Sequence, residues 1–165
     1  MIMVFMISIL IMREIIMIPN NENVVLEEQD VSLIEAAKAA IISRYKPDWH
    51  VVGAALRLRS GEIVTGVHLE ANVGRIAVCA EAIALGRAVT EYGSADIDTI
   101  VAVYHSRDGE VSIVSPCGMC RELISDYAPQ AMALIQDEKH NYVKCPIMSL
   151  LPAKYQRDIT NEPKT

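Results

Sequence analysis

Three cysteines constrain this chain more than any other feature of its sequence. Cys79 opens a predicted helix of about residues 79–91, and Cys117 and Cys120 open a second one of about residues 117–126. A helix N-terminus presents unpaired N–H groups and roughly half a positive charge, which favour a thiolate over a thiol. A fold that brings the two helix starts together would therefore create one site with three sulfurs.

The residues around these cysteines indicate metal chemistry. The first motif is Cys-Ala-Glu at residues 79–81, and the second is Pro-Cys-Gly-Met-Cys at residues 116–120. Three thiolates can occupy three corners of a zinc tetrahedron at about 2.3 Å each, and a catalytic zinc keeps its fourth position open for water. Glu81, in the first turn of its helix, can face that water without ligating the metal. Both motifs match zinc deaminases, in which a non-ligand glutamate is general acid and base.

Two other interpretations of the cysteines stay open. A Cys-x-x-Cys pair at a helix start, here Cys117 and Cys120, is also typical of thiol–disulfide oxidoreductases. A fourth ligand at Cys145 would instead make a structural zinc site, although structural sites usually pair two Cys-x-x-Cys halves and Cys145 stands alone. We expect Cys145 to be a small buried apolar residue. A disulfide framework is disfavoured because 165 residues can bury a sufficient core without cross-links.

Helical and strand-like patterns alternate along the chain. Apolar residues recur at helical spacing over residues 31–44, with Asp30 as the expected N-cap. Residues 51–59 and 62–68 alternate on either side of a Ser-Gly turn and predict a β-hairpin. The whole pattern predicts an α/β fold, a three-layer α/β/α sandwich with a five-stranded mixed sheet. The remaining predicted elements are strands at residues 97–104, 111–114 and 132–135, and a short helix or turn at residues 145–151.

Charge and composition disfavour some partners. The formal net charge is −6, the 15 Lys and Arg residues are scattered, and aromatic residues make up only 5% of the chain. Nucleic-acid binding uses clustered basic residues and stacking rings, so no nucleic acid partner is expected. Stable association with a membrane is not expected either. Cysteines kept as thiols suit a reducing cytoplasm, which is the predicted location.

The length fits one domain, which we expect at residues 30–157, followed by a C-terminal tail at residues 158–165. Residues 1–29 form an apolar leader and a polar linker. The leader is shorter than the roughly 20 apolar residues of a spanning helix, and it lacks the basic start and cleavage site of a signal peptide. We expect the native start to lie later, at a methionine such as Met17. An extra apolar helix or a weak membrane anchor is the alternative.

With these motifs the chain resembles the cytidine deaminase family, in its homotetrameric three-cysteine form that includes blasticidin S deaminases. The resemblance covers about residues 31–155 and includes Val-Gly-Ala-Ala-Leu at residues 52–56 and Leu-Leu-Pro at residues 150–152. It implies the α/β/α fold, a homotetramer and one catalytic zinc (Zn²⁺) per subunit. The implied zinc ligands are Cys79, Cys117 and Cys120, and the implied proton shuttle is Glu81.

The resemblance also implies substrate contacts. The family holds its nucleoside with an Asn-x-Glu motif after the second strand, and this chain has His-Leu-Glu at residues 68–70. His68 and Glu70 are therefore the expected substrate-binding residues, together with Ala80. A surface histidine at a strand end is the alternative for His68.

Other departures from the family concern charge and subunit contacts. The arginine that commonly follows the catalytic glutamate is replaced by Ala82. Three thiolates on a divalent zinc leave a net negative charge, so a compensating cation is expected, from Arg121 or Arg75. Tyr155 stands near the position of a family aromatic residue that reaches a neighbouring subunit's site.

The sequence thus predicts a zinc-dependent hydrolytic deaminase that converts the 4-amino group of free cytidine or deoxycytidine to a carbonyl and releases ammonia. The histidine at residue 68, and Gly74 where the family usually has tyrosine, leave blasticidin S or another aminated heterocycle as an alternative substrate. A zinc-stabilised binding protein without turnover is the alternative outside enzymes.

Overall fold

The computed structural model describes residues 26–137 and 141–156. The predicted apolar leader, the larger part of the predicted linker and the predicted tail at residues 158–165 lie outside the described residues. The described part contains three α-helices, six strands and two short 3₁₀ turns.

The first helix, α1 (Glu28–Ile42), begins earlier than the pattern predicted. Glu27 is its N-cap, and Asp30 lies within the first turn, where its carboxylate accepts a 3.4 Å hydrogen bond from the Glu27 N–H. The prediction of Asp30 as N-cap was therefore wrong. The carboxylate of Asp30 is buried and pairs with Arg57 at 3.3 Å and Lys144 at 2.9 Å, contacts that only the folded sheet can supply.

The predicted hairpin is present as β1 (Val52–Leu58) and β2 (Ile63–Val67), which pair antiparallel. Gly61 adopts a φ of 107° in the turn, a conformation that glycine reaches without steric cost. The remaining elements follow in the order α2 (Ala80–Tyr92), β3 (Ile97–His105), β4 (Val111–Val114), α3 (Gly118–Tyr127), β5 (Met132–Gln136) and β6 (Tyr142–Pro146), with 3₁₀ turns at Gly74–Ile76 and Ile147–Leu150.

The sheet is mixed and has the strand order β2-β1-β3-β5-β6, with β4 also paired to β3. Only the β3–β5 pair is parallel among the described strands. The sequence predicted five strands, and the sixth is β6, where Cys145 was expected in a short helix or turn. Its alternation of Tyr, Val, Lys and Cys is too short to be distinctive, and pairing with β5 decides its conformation.

The predicted three-layer architecture is confirmed. On one face of the sheet, α1 packs Leu33, Ala37 and Ile41 against small and branched residues of β1 and β3. On the other face, α2 and α3 pack Leu85 and Ile124 against the opposite sides of the same strands. The central strands are therefore buried on both faces, which explains why β3 is a nearly continuous apolar run.

Candidate active site

The starts of α2 and α3 meet above the two central strands. Cys79 is the N-cap of α2, and Cys117 is the N-cap of α3. Ala80, fully buried, packs against Ala54 of β1 and Ala102 of β3, so small side chains let this helix start lie close to the sheet. Because β4 pairs with the end of β3, the loop that follows β4 delivers α3 to the same place.

The three cysteines predicted as metal ligands lie together. The sulfur atoms of Cys79, Cys117 and Cys120 all lie within 4.8 Å of one another, and the Cys79 and Cys117 sulfurs are 3.5 Å apart. Cys145 does not belong to this group and lies on β6 as a free thiol. Three sulfurs at this spacing form the donor set that zinc accepts, with one coordination position left for another ligand.

The electrostatics of the group also fit a divalent cation. Burial, followed by the hydrogen bond to Cys117, raises the pKa of Cys79 to about 11. Burial together with the charges of Glu81 and of the other two cysteines raises the pKa of Cys120 well above its ordinary value. Burial alone would raise the pKa of Cys117 too, but hydrogen bonds from the Cys120 N–H and the neighbouring thiols lower it. Three thiolates therefore need positive charge beside them, which a bound zinc would supply.

Glu81 is the carboxyl group beside the sulfurs. Its side chain is only 5% exposed, and burial raises its pKa, while hydrogen bonds from its own N–H and from Cys120 act in the opposite direction. The charge of His68 acts on the same carboxyl group. The structure thus brings the Glu81 carboxyl next to Cys120.

The expected substrate-binding residues lie at the end of β2, beside the cysteines. The His68 Nε2 and Glu70 Oε2 atoms are 3.8 Å apart. The His68 Nδ1 atom is buried and has no hydrogen-bond partner among the described residues. Two backbone hydrogen bonds of 2.9 and 3.0 Å join Leu69 to Val78 and so connect this strand end to the residue before Cys79.

Sequence reasoning missed one residue of this region, His50. Its Nδ1 atom lies 2.8 Å from the carbonyl oxygen of His68 and holds the backbone of that residue. A histidine just before a strand gave a weak signal, because its partner lies 18 residues further along the chain.

The two arginines expected to offset the thiolate charge have different surroundings. The guanidinium group of Arg121 donates to the carbonyl oxygens of Pro116 at 2.8 Å and Leu150 at 3.0 Å. Arg75 lies exposed in the 3₁₀ turn before α2 and makes no hydrogen bond or ion pair within the described ranges. Charge compensation by either arginine stays a prediction.

Comparison with known proteins decides the family. A family model described as the cytidine and deoxycytidylate deaminase zinc-binding region matches residues 27–135, which include both cysteine motifs and residues 68–70. The chain belongs to this deaminase family. Its predicted membership is thereby confirmed.

Individual relatives of the deaminase support the same conclusion. It is 50% identical over 137 residues to the blasticidin-S deaminase of Bacillus cereus, a match that covers 81% of this chain and 96% of that protein. It is 27% identical over 133 residues to a probable cytidine deaminase of Dictyostelium discoideum, which covers 80% and 87% of the two proteins. The crystal structure of cytidine deaminase from Burkholderia pseudomallei matches with a TM-score of 0.63 and 28% identity, over 76% of this chain and 98% of that one.

Family membership gives the deaminase its enzyme class. It is a hydrolase that acts on C–N bonds of cyclic amidines, as the sequence predicted, and its substrate is a small molecule. No helix in the described part of the chain is long and apolar enough to cross a membrane.

Proposed function

We propose that this deaminase hydrolyses the 4-amino group of a free cytosine nucleoside, with zinc as its metal and blasticidin S as its preferred substrate. The observation that carries the chemistry is the group of three sulfurs within 4.8 Å of one another, with the buried Glu81 carboxyl beside Cys120. In the overall reaction, water replaces the exocyclic amine, the ring carbon gains a carbonyl oxygen and ammonia leaves.

Cys79, Cys117 and Cys120 would hold the zinc. When bound, zinc supplies the Lewis acidity that makes a water molecule nucleophilic near neutral pH. The helix starts stabilise the thiolates through their N–H groups, as the hydrogen bond from the Cys120 N–H to Cys117 illustrates.

Glu81 would move the protons. Its carboxylate would accept a proton from the attacking water and pass it to the ring nitrogen. It would then take the proton of the new hydroxyl group on the ring carbon and deliver it to the departing amine, so that the carbonyl forms as ammonia leaves. Burial supports this role, because it raises the pKa of Glu81 and makes the carboxyl group a better proton acceptor than an exposed one.

His68 and Glu70 would hold the part of the substrate beyond the ring. The buried Nδ1 atom of His68, which has no hydrogen-bond partner in the part of the chain that the structure describes, offers one hydrogen-bonding position to a ligand. An asparagine would offer both an acceptor and two donors. Glu70 can accept hydrogen bonds from a hydroxyl or amino group. Ala80, the third expected substrate contact, is buried at the start of α2 directly after Cys79.

The choice of blasticidin S over cytidine rests on two observations. The chain is 50% identical to the blasticidin-S deaminase of Bacillus cereus, against 27% to the probable cytidine deaminase of Dictyostelium discoideum. The histidine at residue 68 also departs from the asparagine that the family uses for ordinary nucleosides. Cytidine and deoxycytidine, the substrates first expected from the sequence, are the second candidates because their ring and amino group require the same chemistry.

The test is ammonia release by purified zinc-loaded protein from blasticidin S, cytidine and deoxycytidine. We expect kcat/KM for blasticidin S to exceed that for the other two at least tenfold. An equal or higher value for cytidine would overturn the choice of substrate, and no ammonia from any of the three would overturn the proposed reaction.

A histidine variant sharpens this test. His68→Asn should reduce the ratio of the blasticidin S and cytidine kcat/KM values, because it restores the side chain that the family uses. His105→Asn is the matched control, since that ring stacks on Tyr45 at 3.8 Å and is outside the proposed contacts.

We also propose a cytoplasmic homotetramer. Leu69, Val73 and Ile76, between β2 and α2, are exposed apolar residues beside the site, and Tyr155 is 75% exposed near the C-terminal end of the described chain. Burial of these residues against other copies would explain their exposure in a single subunit. Light scattering should give the mass of four chains, and a monomeric mass would contradict this assembly. The free thiols of all four cysteines fit a reducing compartment.

A further inference from the structure

Arg121 lies in the helix that carries two of the three clustered cysteines and bonds the backbone of the segment that leads into that helix. It directly follows Cys120 in the first turn of α3, and its backbone N–H donates to the carbonyl oxygen of Cys117 at 2.9 Å. Its side-chain Nε atom donates to the carbonyl oxygen of Pro116 at 2.8 Å. One residue therefore holds two successive carbonyl groups on the segment that leads into the site.

The same guanidinium group reaches a second segment of the chain. Its Nη1 atom donates to the carbonyl oxygen of Leu150 at 3.0 Å, at the end of the 3₁₀ turn that follows β6. That turn is held in the fold, because Ile147 is fully buried and its N–H donates a 2.9 Å hydrogen bond to the carbonyl oxygen of Ala131. Arg121 thus ties the Pro116–Cys117 peptide to a rigid part of the fold.

We propose that Arg121 is a positioning residue, which sets the placement of the Cys117 and Cys120 sulfurs by holding the Pro116 carbonyl against the C-terminal turn. The proposal rests on the metal site proposed above. Outer groups that orient metal ligands commonly change metal affinity 10- to 100-fold when they are lost. Arg121 would act in the same way on the Pro116 carbonyl group, which precedes the proposed ligand Cys117.

The chemistry of the side chain explains why an arginine is needed. The carbonyl oxygens of Pro116 and Leu150 belong to different segments and need two N–H donors in fixed relative directions. The planar guanidinium group of an arginine provides such donors. A lysine ammonium carries its three N–H donors on a single atom at the end of a flexible stem, so it does not hold two acceptors in fixed relative directions. The carbonyl of the buried Pro116 would then be held less firmly than by the guanidinium group.

A second contact between the same two segments provides a matched control. The Lys154 ammonium group bonds Glu122 at 2.7 Å and Asp126 at 2.6 Å, and its side chain is only 9% exposed. It therefore also attaches the C-terminal segment to α3, but it does not contact the peptide that enters the site. If metal binding needed only the attachment of the C-terminal segment to α3, the loss of Lys154 would weaken it as much as the loss of Arg121.

The experiment compares Co²⁺ binding by wild type, Arg121→Lys and Lys154→Met, all prepared metal-free. Affinity is measured by competition with a chelator, the visible spectrum of bound Co²⁺ reports sulfur geometry, and thermal unfolding of the metal-free proteins reports folding. We expect Arg121→Lys to bind Co²⁺ at least tenfold more weakly with a shifted spectrum. Lys154→Met should stay within about twofold of wild type and keep the wild-type spectrum.

The outcomes separate this inference from the proposed function. If wild type binds no Co²⁺, the metal site itself and the role of Arg121 are both overturned. If wild type binds it and Arg121→Lys binds equally well, or if both variants lose affinity equally, only the positioning role is overturned. Arg121→Gln, which keeps one amide donor, repeats the test if the lysine variant does not fold.

Discussion

The α-carbon of Gly66 on β2 lies directly against the carbonyl group of Ala80 at the start of α2, with no space for a side chain between them. A Cβ atom built on Gly66 would overlap that oxygen and would lie 2.6 Å from the backbone nitrogen of Ala84. These are backbone atoms, which cannot rotate away. Cys79 and Glu81 belong to the same helix start, so the absence of a side chain on Gly66 sets how closely these two residues approach the sheet.

Gly66→Ala should therefore destabilise the protein. Pushing α2 away from β2 to admit a methyl group is an overpacking change, which costs roughly 1–3 kcal/mol. Urea unfolding measures the change in the free energy of unfolding. Gly86→Ala is the control, because Gly86 lies within α2 with open space around it, and this substitution should stabilise the protein by about 0.5–1 kcal/mol. Equal effects of the two substitutions would show that the close approach is unimportant.

Glu81→Gln should separate catalysis from metal binding. The amide cannot accept and return protons, so kcat should fall about 10²- to 10⁴-fold, the usual contribution of a positioned acid or base. The zinc content of the purified variant, measured by atomic emission, should stay that of wild type because Glu81 is not proposed as a ligand. Loss of zinc together with activity would mean that the carboxyl group belongs to the metal site itself.

Cys120→Ser and Cys145→Ser should differ in metal content. The Cys120 sulfur belongs to the group of three, whereas Cys145 lies apart from it on β6. We expect the first variant to purify with little zinc and the second to retain about one zinc per chain. An equal loss in both variants would favour the structural four-cysteine site that the sequence left open.

Asp98→Asn should reduce the loss of stability in acid. Burial would raise the pKa of Asp98, but hydrogen bonds from Arg57 at 2.9 Å and Thr99 at 3.0 Å outweigh it and hold the pKa below its ordinary value of 3.8. A carboxyl group with a lowered folded-state pKa stabilises the protein above the unfolded value, and that stability is lost as the pH falls through the folded value.

The variant should thus be less stable than wild type at pH 7, by roughly 1–2 kcal/mol since the carboxylate is partly exposed. The difference should shrink below about pH 4 in urea unfolding measured across pH. Asp96→Asn is the control, because its ion pair with Arg59 at 3.2 Å is exposed on both sides and should contribute less than about 1 kcal/mol. A gap between wild type and Asp98→Asn that does not change with pH would contradict this account.

Most elements could be predicted because their signals are local. The Ser-Gly turn and its flanking alternation gave the β1–β2 hairpin, and Gly93, with a φ of 64°, ended α2 where the sequence placed its end. The errors involve distant partners. Asp30 resembled an N-cap, yet it pairs with Lys144, which is 114 residues away. The strand β6 depends on its pairing with β5 more than on its own short pattern.

The sequence by itself determined the chemistry of this deaminase, because the spacing of Cys79, Glu81, Cys117 and Cys120 places each of them at a helix start, where thiolates and a carboxyl group can serve a metal. Only the tertiary structure decided which groups surround them. The contact of His50 with His68, the approach of α2 to Gly66, and the engagement of Arg121 with Pro116 and Leu150 all join residues on separate segments. Such contacts arise when the sheet pairs its strands and the helices pack on it, and no local pattern specifies them.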